Sequence, residues 1–163
     1  MDVLSFAPIT ACLSKVTLAA GTTSTLSTTG TTVYAIRGKA YSKAALTNQV
    51  TPTTDAATGS AFTGVVANKG CVFLVGFNAA GTLKCVQGTI TDLDTGGNFV
   101  VAPNFPAGVP ADFCPIGYIV IKAGSTANAT TGWIFGTSNM SSVTGITYTF
   151  QDVIGLPDRP QIS

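Results

Sequence analysis

Gly70-Cys71-Val72-Phe73-Leu74-Val75-Gly76-Phe77 is followed by Asn78-Ala79-Ala80-Gly81 and then by Thr82-Leu83-Lys84-Cys85-Val86-Gln87. The first run is apolar at odd and even positions alike. Both faces of the strand it forms are therefore expected to be buried, as at the centre of a sheet. Asn78 and Gly81 bound a turn, and the partner run, residues 82–90, interleaves Lys84 and Gln87 with apolar residues. A four-residue loop over 78–81 pairs Phe77 with Thr82, which sets Cys71 near Gly88 and Cys85 near Leu74. The stretch predicts an antiparallel hairpin at the middle of the fold.

Working outward, the other runs are short and bounded by turn residues: 33–39, 98–102, 118–122, 131–136 and 146–152. The last alternates Ile146, Tyr148 and Phe150 against Thr147, Thr149 and Gln151, the period of a half-exposed strand. No segment sustains the i, i+3, i+4, i+7 apolar spacing of a helix. The pattern predicts an all-β chain, an antiparallel β-sandwich or a jelly-roll-like barrel, built as one domain over residues 1–163. Two ends are set apart from it: an N-terminal arm, residues 1–30, and a C-terminal tail, residues 155–163. The Thr-rich tract at 21–30 reads as a mobile loop or part of that arm. Pro103, Pro106, Pro110 and Pro115 forbid a regular ladder, so residues 103–115 read as a stiff crossing or contact loop.

Composition bears on function. There is no histidine and no glutamate, 26 residues are threonine, and only 9% are charged, against about a quarter in an ordinary domain. The usual general acids, general bases and imidazole metal ligands are thus missing. Ser14-Lys15 and Ser42-Lys43 are sequence neighbours, but adjacent strand residues face opposite ways, so neither pair is pre-arranged to share a proton. The residues point to no catalytic group, no cofactor and no metal. Asp92-Leu93-Asp94-Thr95-Gly96-Gly97-Asn98 has the acids for calcium, yet it lacks the closing glutamate of a calcium loop and reads as a plain turn.

The net charge of +1 gives no drive toward nucleic acid or an anionic membrane. Arg37, Lys39 and Lys43 form the one basic cluster, with Arg37 and Lys39 expected on one strand face, as a solvated or partner-facing edge. Cys12, Cys71, Cys85 and Cys114 match no zinc spacing and are expected to be buried and reduced, which fits synthesis in a reducing compartment. Asp2 and Pro8 break the pattern of a secretion signal. A neutral, apolar-rich chain of this kind is expected to oligomerise or to live against a larger surface. Free ends and stiff loops suit such a surface best. The candidate contacts are Val3, Leu4 and Phe6, then Phe105 and Phe113 in the proline-rich crossing, then Leu156 and Arg159 in the tail.

Four stretches carry a resemblance: Ala67-Asn68-Lys69-Gly70-Cys71-Val72-Phe73, Asn78-Ala79-Ala80-Gly81-Thr82, Cys114-Pro115-Ile116-Gly117-Tyr118-Ile119-Val120-Ile121 and Leu156-Pro157-Asp158-Arg159-Pro160-Gln161. Over the last two thirds of the chain they resemble small virion structural proteins of tailed bacteriophages. The resemblance implies capsid decoration, usually as a homotrimer bound to the major capsid protein on the exterior of the virion, after synthesis in the host cytoplasm. It transfers no catalytic residue, and the near-neutral charge points to neither a nucleic-acid nor a membrane partner. The alternative is a receptor- or glycan-binding head of a tail fibre, to which the region of Trp133 and Asn139 would lend an aromatic and an amide.

Overall fold

A computed structural model describes residues 8–162. Its strands are β1 (Ala11–Cys12), β2 (Ala19–Ala20), β3 (Thr25–Ser27), β4 (Thr32–Ile36), β5 (Lys39–Lys43), β6 (Gln49–Val50), β7 (Lys69–Asn78), β8 (Leu83–Gln87), β9 (Thr91–Asp92), β10 (Phe113–Ala123) and β11 (Ile146–Asp152). There is no helix among the described residues, and every strand pair is antiparallel. Three sheets form, ordered β1-β4-β5, β2-β3-β6 and β11-β10-β7-β8, with β9 taking over from β8 alongside β7. The arrangement is all-β and sandwich-like, and the sheets do not close into a barrel.

The strand that is apolar on both parities, β7, lies where its pattern requires, between β10 and the β8–β9 pair. On one face Phe73 is buried among Phe62, Trp133 and Phe135, with ring centroids 6.1, 5.6 and 5.2 Å away. Cys71, Val75, Phe77, Ile119 and Ile121 extend this core. The β1-β4-β5 sheet closes one end of it through Cys12, Tyr34 and Ile36. Tyr34 packs 5.6 Å from the Phe77 ring and donates its hydroxyl to the Asn78 carbonyl at 3.0 Å.

The opposite face, with Val72, Leu74, Val86, Tyr118 and Val120, is covered by irregular chain. Phe105 stands edge-on to Tyr118 at 5.1 Å. Ile162 packs on the same face, and the Tyr118 hydroxyl accepts the Gln161 N–H at 2.8 Å. The end of the tail is thereby tied to the sheet, while residues 155–159 are exposed.

Several local expectations change. The hairpin after β7 has three loop residues, not four. The Asn78 N–H reaches the Thr82 carbonyl at 3.2 Å, its Oδ1 accepts the Ala80 and Thr82 N–H groups at 3.1 and 2.9 Å, and Gly81 takes φ +72°. That is the turn-plus-left-handed-glycine loop. Phe77 pairs with Leu83, and Cys85 stands opposite Val75. The one-residue slip turns Leu83, Cys85 and Gln87 to the face that carries Phe73.

The run at 33–39 is broken at Arg37 and Gly38, with φ of 50° and 80°. Two consecutive positive φ values make the tight turn that joins β4 to β5. Arg37 is therefore a turn residue and does not share a strand face with Lys39.

β10 begins at Phe113, well before residue 118, and carries Pro115 inside it. The ladder skips a residue between Pro115 and Gly117, a bulge that accommodates a proline lacking a ladder donor. Gly76 stands opposite Pro115, where a Cβ would collide with the Cys114 carbonyl. The runs at 98–102 and 131–136 contribute only the isolated bridges Leu93–Phe99 and Val65–Trp133. The Thr-rich tract is ordered in part as β3: Leu26, Thr25 and Thr28 are buried, and Thr28 Oγ1 accepts the Leu46 N–H at 2.9 Å. Cys12, Val16 and Leu18 are buried too, so residues 11–28 pack into the body of the fold.

Candidate partner-binding surface

β1, β4 and β5 turn Cys12, Tyr34 and Ile36 inward. Strand alternation then puts Ala11, Leu13, Val33, Ala35, Ala40 and Ser42 on the outer face of this sheet. Leu13 donates its N–H to the Val33 carbonyl at 2.7 Å, so their side chains stand side by side, Leu13 being 57% exposed and Val33 also exposed. On the far side of β1 the Cys12 N–H reaches the Ile154 carbonyl at 2.9 Å, and Ile154 is 71% exposed. Ile9, just before β1, is exposed as well. An antiparallel sheet with one wet face normally alternates apolar-in with polar-out. Here the outer positions, Ala11 and Leu13 beside Val33 and Ala35 beside Ala40 and Ser42, carry no charged side chain; Ala35 is itself buried, and the exposed Lys15 stands two residues beyond Leu13.

The expected contacts divide. Val3, Leu4 and Phe6 lie outside the described residues. Leu156 and Arg159 are exposed in the tail beyond Ile154. Phe105 is half-buried against Tyr118, and Phe113 is only 3% exposed within β10, opposite Asn78. A ring so enclosed is core and has no surface to offer a partner. The proline-rich crossing is thus largely a lid over the second face of the large sheet. Leu13 closes the N-terminal segment, residues 1–13, that the sequence marks as a candidate contact, whereas nothing in the sequence marks Val33 or Ile154. Their signal was the pairing of an alternating run at 33–36 with a turn that only a tertiary frame reveals.

Other candidate chemistry resolves into structure. Asp94 Oδ1 accepts the Gly96 and Asn98 N–H groups, both at 2.8 Å, and Asp92 pairs with Lys69. The Asn98 backbone N–H holds the Asp94 carboxyl below its ordinary value. These acids serve a turn and an ion pair. Trp133 is buried and donates its indole N–H to the Asn139 carbonyl at 2.8 Å. It gives no stacking platform for a sugar.

All four cysteines are buried and unpaired. Burial pushes the Cys71 and Cys114 thiols up to about 12 and also raises Cys85 and Cys12. From the ordinary value of 9.0 up to about 12, unfolded thiols ionise while folded Cys71 and Cys114 keep their protons. The native state then binds more protons, so stability is whole below that window and falls as pH rises through it. Urea midpoints should drop between about pH 8 and about pH 10.5, and a Cys71→Ala, Cys114→Ala variant should show a shallower drop. Native thiols should stay unreactive at the lower pH and all four should react once the chain is unfolded.

No family model, curated protein or solved structure matches this chain. Among the described residues, no helix is long and apolar enough to cross a membrane.

Proposed function

We propose that this protein is a non-enzymatic virion structural component that decorates and stabilises a bacteriophage capsid, docking through the outer face of β1-β4-β5. The observation that carries this reading is that the outer positions of β1, β4 and β5 hold no charged side chain, in a chain whose sequence stretches resemble phage virion proteins. A surface without charge loses little on desolvation, whereas a salt-bridged one must recover a large penalty. Binding the assembled shell and not its free subunits would stabilise the shell by mass action.

The face is small. Three strands about 4.8 Å apart and five residues at about 3.3 Å each span roughly 14 Å by 17 Å. A stable pairwise interface buries about 800 Å² on each partner. One face alone falls short, so we assign the bound state to a homotrimer in which three weak contacts act together.

Electron microscopy of particles carrying the protein tests the reading. Threefold density on the outside of the shell, with β1-β4-β5 against the capsid, is expected, and density confined to the tail overturns it. Leu13→Lys with Val33→Lys should fold with stability changed by less than about 1 kcal/mol, because both side chains are exposed. The same variant should lower capsid occupancy at least about tenfold, since it buries two unpaired charges in the contact. Wild-type occupancy by the folded double variant would place the contact elsewhere.

A further inference from the structure

The edge of the same sheet has a different character. β5 is the last strand in the order β1-β4-β5. In the two-residue hairpin, Ile36 and Lys39 close the turn, and Tyr34–Tyr41 and Thr32–Lys43 follow as pairs. Alternation makes these the hydrogen-bonded pairs, leaving Ala40 and Ser42 with N–H and C=O turned away from β4. Both residues are exposed, and these groups find no partner among the described residues. On the inner parity of the same strand stand Lys39, Tyr41 and Lys43.

A cleft of about 450 Å³ runs between this strand and the loops opposite. It is lined by Arg37, Lys39 and Tyr41 on one wall and by Ala79, Ala111 and Asp112 on the other. Lys43 lines the next groove along β5, facing Ala80, Gly81 and Thr82. Tyr41 stacks on Tyr34 with ring centroids 5.5 Å apart, and the Lys39 ammonium lies 5.5 Å from the Tyr41 ring centroid. Arg37, Lys39 and Lys43 are three of the eight basic residues in the chain. None is engaged in an ion pair among the described residues, where the one such pair is Lys69–Asp92. Asp112 is the single acid on the cleft wall.

We propose that β5 is a strand-addition site for an extended acidic segment of a partner protein. The backbone of that segment would pair with Ala40 and Ser42, and its acidic side chains, at every second position, would lie along Lys39, Tyr41 and Lys43 with Arg37 at the turn. Main-chain pairing supplies the docking and the alternating side chains supply the choice of partner. The same lysines forbid two copies of β5 from pairing with each other, because like charges would meet across the new ladder. Rejection of self and selection of an acidic strand thus come from one set of residues. This contact uses the strand edge and the inner parity, not the uncharged outer face, so either can fail without the other.

The test is fluorescence anisotropy of a labelled Thr-Asp-Thr-Asp-Thr-Asp-Thr peptide titrated with the full chain. Saturable binding that weakens with salt is expected, with no saturation by the peptide in which Lys replaces each Asp. Lys39→Glu with Lys43→Glu should weaken the acidic peptide at least about tenfold and improve the basic one, since charge complementarity sets the preference. Ser42→Pro removes an outward N–H that the fold does not use, a substitution that edge positions tolerate. It should also cost at least about tenfold in binding, because the added strand loses a ladder bond. Thermal melts establish that both variants are folded. Wild-type affinity in Ser42→Pro, equal binding of single-stranded oligothymidylate, or no saturable binding of the acidic peptide each overturns the proposal.

Discussion

Phe73→Ala is expected to destabilise the protein by about 3–5 kcal/mol, the range of large-to-small aromatic changes in cores. Phe73 is fully buried at the middle of β7. Its ring meets Phe62, Phe135 and Trp133, three rings on one face of the large sheet brought there by the segment before β7 and the segment between β10 and β11. Alanine would leave a cavity whose walls belong to separate segments, and Trp133 is further held by its bond to Asn139, so little collapse can fill it. Thr147→Ala on the exposed parity of β11 is the control and should fall within about 0.5 kcal/mol. Urea melts followed by tryptophan fluorescence measure both. A loss below about 1 kcal/mol at Phe73 would mean that this aromatic cluster is not packed as described.

Phe113→Ser is expected to cost at least as much, about 3–5 kcal/mol for the lost ring and a further penalty for a hydroxyl left without a partner. Phe113 occupies the first position of β10, opposite Asn78, and belongs to the core under the second face of the sheet. It also lies against Gly76, where an added Cβ would stand 2.7 Å from its ring, so strand and ring are fitted to each other. Phe105→Ser should cost less, roughly 1–2 kcal/mol, because that ring is half-buried and touches the sheet from outside through Tyr118. Chemical melts of the two variants, with circular dichroism as the readout, separate core from cover. Equal small losses at both positions would return Phe113 to the surface and to the list of contacts.

The pair also shows where reading residues in order meets its limit. Phe105 and Phe113 share one proline-rich stretch and are alike in local pattern. What separates them is β10, whose ladder runs through Pro115 because Gly76 faces it and a bulge absorbs the missing donor. Nothing near Pro115 in sequence announces Gly76. The hairpin after β7 behaves similarly. Asn78 and Gly81 mark the turn, but whether three or four residues form it depends on the Asn78 side chain capturing the Ala80 and Thr82 amides. One residue of difference decides which face Cys85 joins.

What the chain determines by itself is what rests on pattern and composition. Residues 70–77 are apolar on both parities and must be central. The alternation at 146–152 must give a half-exposed strand. A chain lacking histidine and glutamate is without the residues most used in proton transfer and metal binding. What only the tertiary structure decides is which short pieces become sheet and which side of them meets water. β1, β2, β6 and β9 are two residues long, too short to show a period. They are strands only because longer neighbours supply their hydrogen bonds. The uncharged outer face of β1-β4-β5 and the basic edge of β5 both depend on the turn at Arg37 and Gly38. That turn requires positive φ at an arginine, a conformation that local propensity disfavours and that the pairing of β4 with β5 holds in place.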